Sequence, residues 1–117
     1  MHDFRKLEVY KRALLFTKRV RQVTARFPRE EMFGLTSQFC RASDSIVLNI
    51  AEGAGCTSKK EFTKFVGYSA RSGYECGGCA DISAILKYIS TEEYDELVDE
   101  TNQIVAMLIG LQRSLQK

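Results

Sequence analysis

The chain has 117 residues, 44% hydrophobic and 27% charged, which predicts one soluble domain large enough for its own core and excludes a disordered or fibrous protein. No apolar run approaches the roughly 20 residues needed to span a bilayer, and the opening MHDFRKLEVYKR lacks an apolar h-region, so neither a membrane partner nor a secretory leader is expected. The net charge of +2 hides two halves: residues 1–29 carry nine Lys/Arg against Asp3 and Glu8, and the remainder is acidic.

The first helix is predicted over Leu7–Phe27, ended by Pro28, the sole proline. Val9, Ala13, Phe16, Val20, Val23 and Phe27 step by four and three, the spacing of a bundle seam. Leu7, Tyr10 and Leu14 form a second apolar set, with Lys11, Arg12, Lys18, Arg19 and Arg26 between the two. Two stripes on one helix predict a second covering surface.

The second helix is expected from about Gly34 to Glu52. Leu35, Phe39, Ala42, Ile46 and Ile50 form its core stripe, beside a polar line of Gln38, Arg41, Ser45, Asn49 and Glu52. Cys40, Val47 and Ala51 occupy its far side, and Gly53 is read as the helix stop. Ser58 and Glu61 open the third helix in a capping-box pattern, which runs to about Ile89 with Phe62, Phe65, Val66, Ser69, Gly73, Cys76, Ala80, Ser83 and Leu86 on its stripe. Gly73, Gly77 and Gly78 inside it predict close approach of a neighbouring backbone, because each costs about 1 kcal/mol relative to alanine. Ser90 and Glu93 repeat the box, and Tyr94, Thr101, Leu108 and Leu115 with Leu97, Ile104 and Leu111 form two heptad rows. Short joints and the absence of period-two alternation predict an all-α antiparallel up-down-up-down four-helix bundle filling 1–117.

With the helices placed, the chain resembles a known family. The stretch LTSQFCRASDSIVLNIAEG from Leu35 to Gly53 is similar to the signature of the four-helix-bundle proteins encoded in intervening sequences of bacterial 23S rRNA genes. Phe4 to Ala13, the FPREEMFGL junction, Ser58 to Phe62, and Ser72 with Glu75 follow in the same order. The resemblance implies a ring-like homo-oligomer, a pentamer, without enzymatic activity. The related accessory proteins of diversity-generating retroelements extend it to RNA, DNA, a reverse transcriptase or another nucleoprotein as partner. The sequence departs from the family pattern at Cys56, where arginine is usual, at Arg71, where a small residue or glycine is usual, and around Cys76 to Cys79.

Chemical signatures are sparse. Cys40, Cys56, Cys76 and Cys79 with no export signal suggest a reduced cytoplasmic protein. Cys76-Gly-Gly-Cys79 has redox or half-zinc spacing, but it falls mid-helix with no preceding strand and no second pair, so packing of small residues is expected, with no metal and no cofactor. The only histidine, His2, lies at the terminus, which leaves no base for nucleophilic catalysis. GAGCTSKK from Gly53 to Lys60 lacks phosphate-loop spacing and reads as a joint. The polar line on the second helix is expected to hydrogen-bond across a helix or subunit seam and fix its register. The basic stripe Lys11, Arg12, Lys18, Arg19 and Arg26 is the expected functional surface, tracking nucleic-acid phosphates in a salt-sensitive way. Two alternatives remain: a basic face balanced by the acidic start of the fourth helix, and a protein–protein scaffold that binds no nucleic acid.

Overall fold

A computed structural model describes residues 3–117, so the reading of His2 falls outside the described residues. Four helices follow one another: α1 (Glu8–Thr24), α2 (Leu35–Ala54), α3 (Lys59–Ile85) and α4 (Thr91–Leu115), with short 3-10 turns at Phe4–Lys6 and Arg29–Glu31. Among the described residues there is no strand, and no helix is long and apolar enough to cross a membrane. The molecule measures 44 × 24 × 19 Å, and its long axis matches the roughly 40 Å of a 27-residue helix.

Cross-helix contacts give the topology. Thr17 bonds to Asp44 while Thr24 reaches back to Cys40, Ser45 meets Ser72 while Gln38 meets Glu75, and Thr63 meets Gln112 while Asp81 meets Tyr94. Each neighbouring pair is antiparallel. The predicted stripes converge on one core, where Phe39, Ile46, Ile50, Leu97, Ile104 and Leu108 are fully buried with Val20, Val23 and Val66. The second stripe of α1 is covered in part by the chain itself: Leu7 and Tyr10 pack against the core and Phe4 stacks edge-on on Tyr10, so only Leu14 is left exposed.

Three boundaries differ from expectation, each for a local reason. α1 stops at Thr24, because Arg26 and Phe27 bond to carbonyls three residues back and tighten the last turn. Phe27 nevertheless stays buried and stacks against Tyr88 with ring centroids 5.2 Å apart. Gly53 does not stop α2; it lies inside the helix, where α3 crosses so closely that an added Cβ would stand 2.7 Å from the Phe65 Cβ and 2.9 Å from Phe62. α3 ends at Ile85 rather than Ile89. The Tyr88 N–H donates to the Ser83 carbonyl (2.9 Å) and the Lys87 N–H to that of Ala84 (3.0 Å), the double bond of a Schellman stop. Leu86, expected in the core, caps this stop and is exposed.

The glycines of α3 divide. Gly73 admits Val105 of α4, whose Cγ2 would lie 2.6 Å from an added Cβ, so the close neighbour is a side chain and not the expected backbone. Gly77 and Gly78 face outward with nothing within 4 Å, so no neighbour in this chain requires them.

Lys87 occupies the left-handed position of the Schellman stop at φ 61°. That conformation costs a side-chain-bearing residue about 1–2 kcal/mol, of which the extra chain entropy of glycine offsets part. Lys87→Gly is therefore expected to stabilise the protein by about 0.5–1 kcal/mol, read as a thermal midpoint about 3 °C higher.

Candidate functional site

Arg12 and Arg19 on α1 and Arg26 in the tightened turn that follows it stand at intervals of seven residues, hence about one every two turns along one edge. α4 meets them with Glu100, Glu96 and Glu93. Arg12 donates from Nε and Nη2 to both Glu100 oxygens at 2.9 and 2.7 Å, and Arg19 does the same to Glu96 at 2.8 and 2.9 Å. Arg26 donates to Glu93. Glu93 is also the capping residue of α4: its other oxygen accepts the Ser90 N–H at 3.0 Å, and Ser90 Oγ accepts the Glu93 N–H. The glutamate hydrogen bonds hold the Arg12 and Arg19 guanidiniums above their ordinary range. Arg19 holds Glu96 low, and the Ser90 backbone N–H, followed by Arg26, holds Glu93 low.

Between these pairs α1 and α4 stand apart around an open groove of about 720 Å³ with Leu15, Phe16 and Leu97 among its lining residues. Lys18 and Asp99 also line it, neither with an ion-pair partner among the described residues. Lys11 pairs with Glu8 on its own helix at 3.3 Å. Of the five residues expected to meet phosphates, three are therefore bound to carboxylates of α4, one to a neighbour on α1, and Lys18 has no ion-pair partner among the described residues.

The polar line of α2 meets α3 over part of its length. Gln38 donates to Glu75, and Ser45 Oγ lies 2.9 Å from Ser72 Oγ, which donates to it. Asn49 turns back on its own helix and donates to the Ser45 carbonyl and hydroxyl, both at 2.9 Å. Arg41 and Glu52 point to solvent with no side-chain partner among the described residues.

Two polar constellations escape sequence reasoning. On α1, Thr17 donates to Asp44 (2.7 Å), and Arg21 grips the same carboxylate with both Nη atoms at 2.8 Å. The Arg21 hydrogen bond, with that of Thr17, depresses the Asp44 carboxyl. Thr17 and Arg21 one turn apart, opposite one of the two acids of α2, were the available signal. At one end of the bundle Glu31 accepts the Leu35 N–H (3.2 Å) with one oxygen and the Tyr88 hydroxyl (2.8 Å) with the other, tying the α1–α2 joint to the α3–α4 joint. Nothing in local spacing pairs residues so far apart.

Cys76 and Cys79 lie buried on the core side of α3. Burial pushes the Cys79 thiol up to about 11 and that of Cys76 higher still, so both are protonated at neutral pH and unsuited to thiolate chemistry. In the Gly53–Lys60 stretch, Gly53 is helical and Cys56 Sγ donates to the Glu52 carbonyl. Among the described residues no group of three or more His, Cys, Asp or Glu is placed to hold a metal.

Asp44, Glu93 and Glu96 are depressed in the folded state relative to about 4 in an unfolded chain. Their stabilisation is thus present above the unfolded value and lost as pH falls through the lower folded values. Denaturant midpoints are expected to be level from pH 7 to 5 and to drop below pH 4, with a smaller drop in Arg19→Gln. Titration with a thiol-specific chromophore at pH 8 should count two fast thiols, the half-buried Cys40 and Cys56, in native protein and four after unfolding.

The family described as 23S rRNA-intervening sequence protein matches residues 5–110. A crystal structure of a protein of unknown function from the S23 ribosomal protein family of Bacteroides thetaiotaomicron superposes with a TM-score of 0.82 at 21% identity, over 90% of this chain and 95% of that one. That likeness concerns the fold. No curated protein matches the chain.

Proposed function

The chain belongs to the family of 23S rRNA-intervening sequence proteins, and from that premise we propose that it is a non-enzymatic, self-associating helical bundle that acts as a protein–protein interaction scaffold. The observation that carries this reading is the pairing of Arg12, Arg19 and Arg26 with Glu100, Glu96 and Glu93. These contacts neutralise the cations most suited to phosphate, while large apolar side chains remain uncovered: Leu14 and Leu15 on α1, Leu48 on α2, Phe33 before α2 and Ile85 on α3. The carboxylates held low stay ionised and the buried thiols stay protonated, which supports a binding role over proton-transfer or nucleophilic chemistry. The expected assembly is the ring of five that the family resemblance implies, and native mass spectrometry at micromolar concentration reads its subunit number. A monomer there would sink the scaffold reading.

The second reading, nucleic-acid backbone bound along α1, draws on the net positive charge of residues 1–29 and on Lys18, which is unpaired among the described residues. It makes a quantitative demand. Each phosphate neutralised on duplex DNA contributes about −0.9 to the slope of log affinity against log salt. With the three arginines held by glutamates, Lys11 and Lys18 supply about two contacts, and affinity should fall by about tenfold between 50 and 200 mM salt. Engagement of all five cations would give a fall of roughly 500-fold. Fluorescence anisotropy on a short labelled duplex is expected to show at most the smaller loss, and the larger one would make α1 a nucleic-acid surface.

A further inference from the structure

Two salt bridges frame a window in the α1–α4 groove. Arg12 binds Glu100 at one end and Arg19 binds Glu96 at the other, and the two arginines stand seven residues apart, about 10 Å along α1. Phe16 and Leu97, both almost fully buried, form the floor, and Leu15 adds an apolar flank that is 68% exposed. At about 720 Å³ the groove falls within the roughly 300–1,000 Å³ common for small-ligand sites.

The charges on its walls make the site selective. Four of the six are bound to one another across the gap, which leaves one cation on α1, Lys18, and one anion on α4, Asp99. Neither has an ion pair or a side-chain hydrogen bond among the described residues. Lys18 adjoins Arg19 and Asp99 adjoins Glu100, so the two free charges lie toward opposite ends of the window and on opposite walls. Gln22 and Gln103 also line the groove and offer amide donors and acceptors.

We infer that the groove binds a short apolar peptide with both termini free, its carboxylate at Lys18, its ammonium at Asp99 and its side chains over Phe16 and Leu97. Three residues fully extended span about 10 Å, the length of the window. The glutamines suit the peptide's amide groups, which would otherwise lose hydrogen bonds to water on entering the groove. A neutral apolar guest would shield both free charges from water and pair neither, and a singly charged one would leave one of them without a partner. The framing bridges stay closed, so the site is complete within one chain and does not depend on the self-association proposed above.

Chemical-shift titration of the full chain with leucyl-phenylalanyl-leucine tests the site, with the N-acetylated and the C-amidated forms of the same tripeptide beside it. Binding is expected to saturate with a Kd of about 0.1–1 mM and to move the amide signals of Leu15, Lys18, Leu97 and Asp99 most. Each blocked peptide should bind about three- to fivefold more weakly, the loss of one partly exposed ion pair. Lys18→Ala should weaken the free tripeptide by the same factor and no longer distinguish it from the C-amide. Asp99→Ala should likewise lose the distinction from the N-acetyl form. Leu15→Arg, a change at an exposed position, should abolish saturation at an unchanged melting temperature. Shifts that fail to saturate by about 10 mM, or that fall outside α1 and α4, overturn the site. Equal binding of the three peptides by the wild type refutes the pairing with Lys18 and Asp99, and the proposal with it.

Discussion

Three arginine–glutamate pairs close α1 onto α4, and the rest of the surface takes its character from that closure. The other helix seams are filled by side chains in contact across the core. Along this one, long charged side chains span a gap over an apolar floor. Exposed pairs of this kind contribute about 0–1 kcal/mol each, so their main effect is geometric and electrostatic. They set the height of α1 relative to α4, and they turn a strongly basic helix and a strongly acidic one into a nearly neutral edge. Glu93 shows the economy of the arrangement, since one carboxylate caps α4 and anchors Arg26.

Small residues do the corresponding work between α2, α3 and α4. Gly53 lets two phenylalanines of α3 approach α2, Gly73 receives Val105, and Gly67 lies under Gln112. Buried hydroxyls fill the same interface without stranding polar atoms: Ser69 donates to the Ile46 carbonyl of α2, and Ser83 and Thr101 bond back along their own helices. Among the described residues no buried side-chain nitrogen or oxygen lacks a hydrogen bond. The three central helices are thus held by shape, and α1 by charge along one of its two edges.

Much of this was legible from spacing. The stripe from Val9 to Val23 and the heptad rows of α4 point inward as their periods require, because period and burial are one fact for a helix in a bundle. The serine that opens α4 completes its capping box, while Ser58 supplies the serine half of one at α3. Helix ends were less legible. A glycine reads as a stop, but Gly53 serves packing, and the real stop after α3 uses a lysine in a glycine's conformation. The basic stripe was visible as charge but not as commitment, since whether Arg12 meets a phosphate or Glu100 depends on where α4 comes to lie 88 residues later. The Thr17–Arg21–Asp44 and Glu31–Tyr88 links were hidden for the same reason.

The groove along α1 also bears on how the molecule breathes. Local opening follows the boundary where least apolar contact is lost, and the α1–α4 edge is such a boundary, made of charged bridges that water can replace. On the other edge α1 is held to α2 by buried contacts and by the Asp44 cluster. Amide protons of α1 therefore belong to a cooperative unit that exchanges before those of α2 and α3, and salt, by screening the bridges, lowers the free energy of that opening more than that of global unfolding. The seam that neutralises the helix is also the hinge line along which the bundle parts.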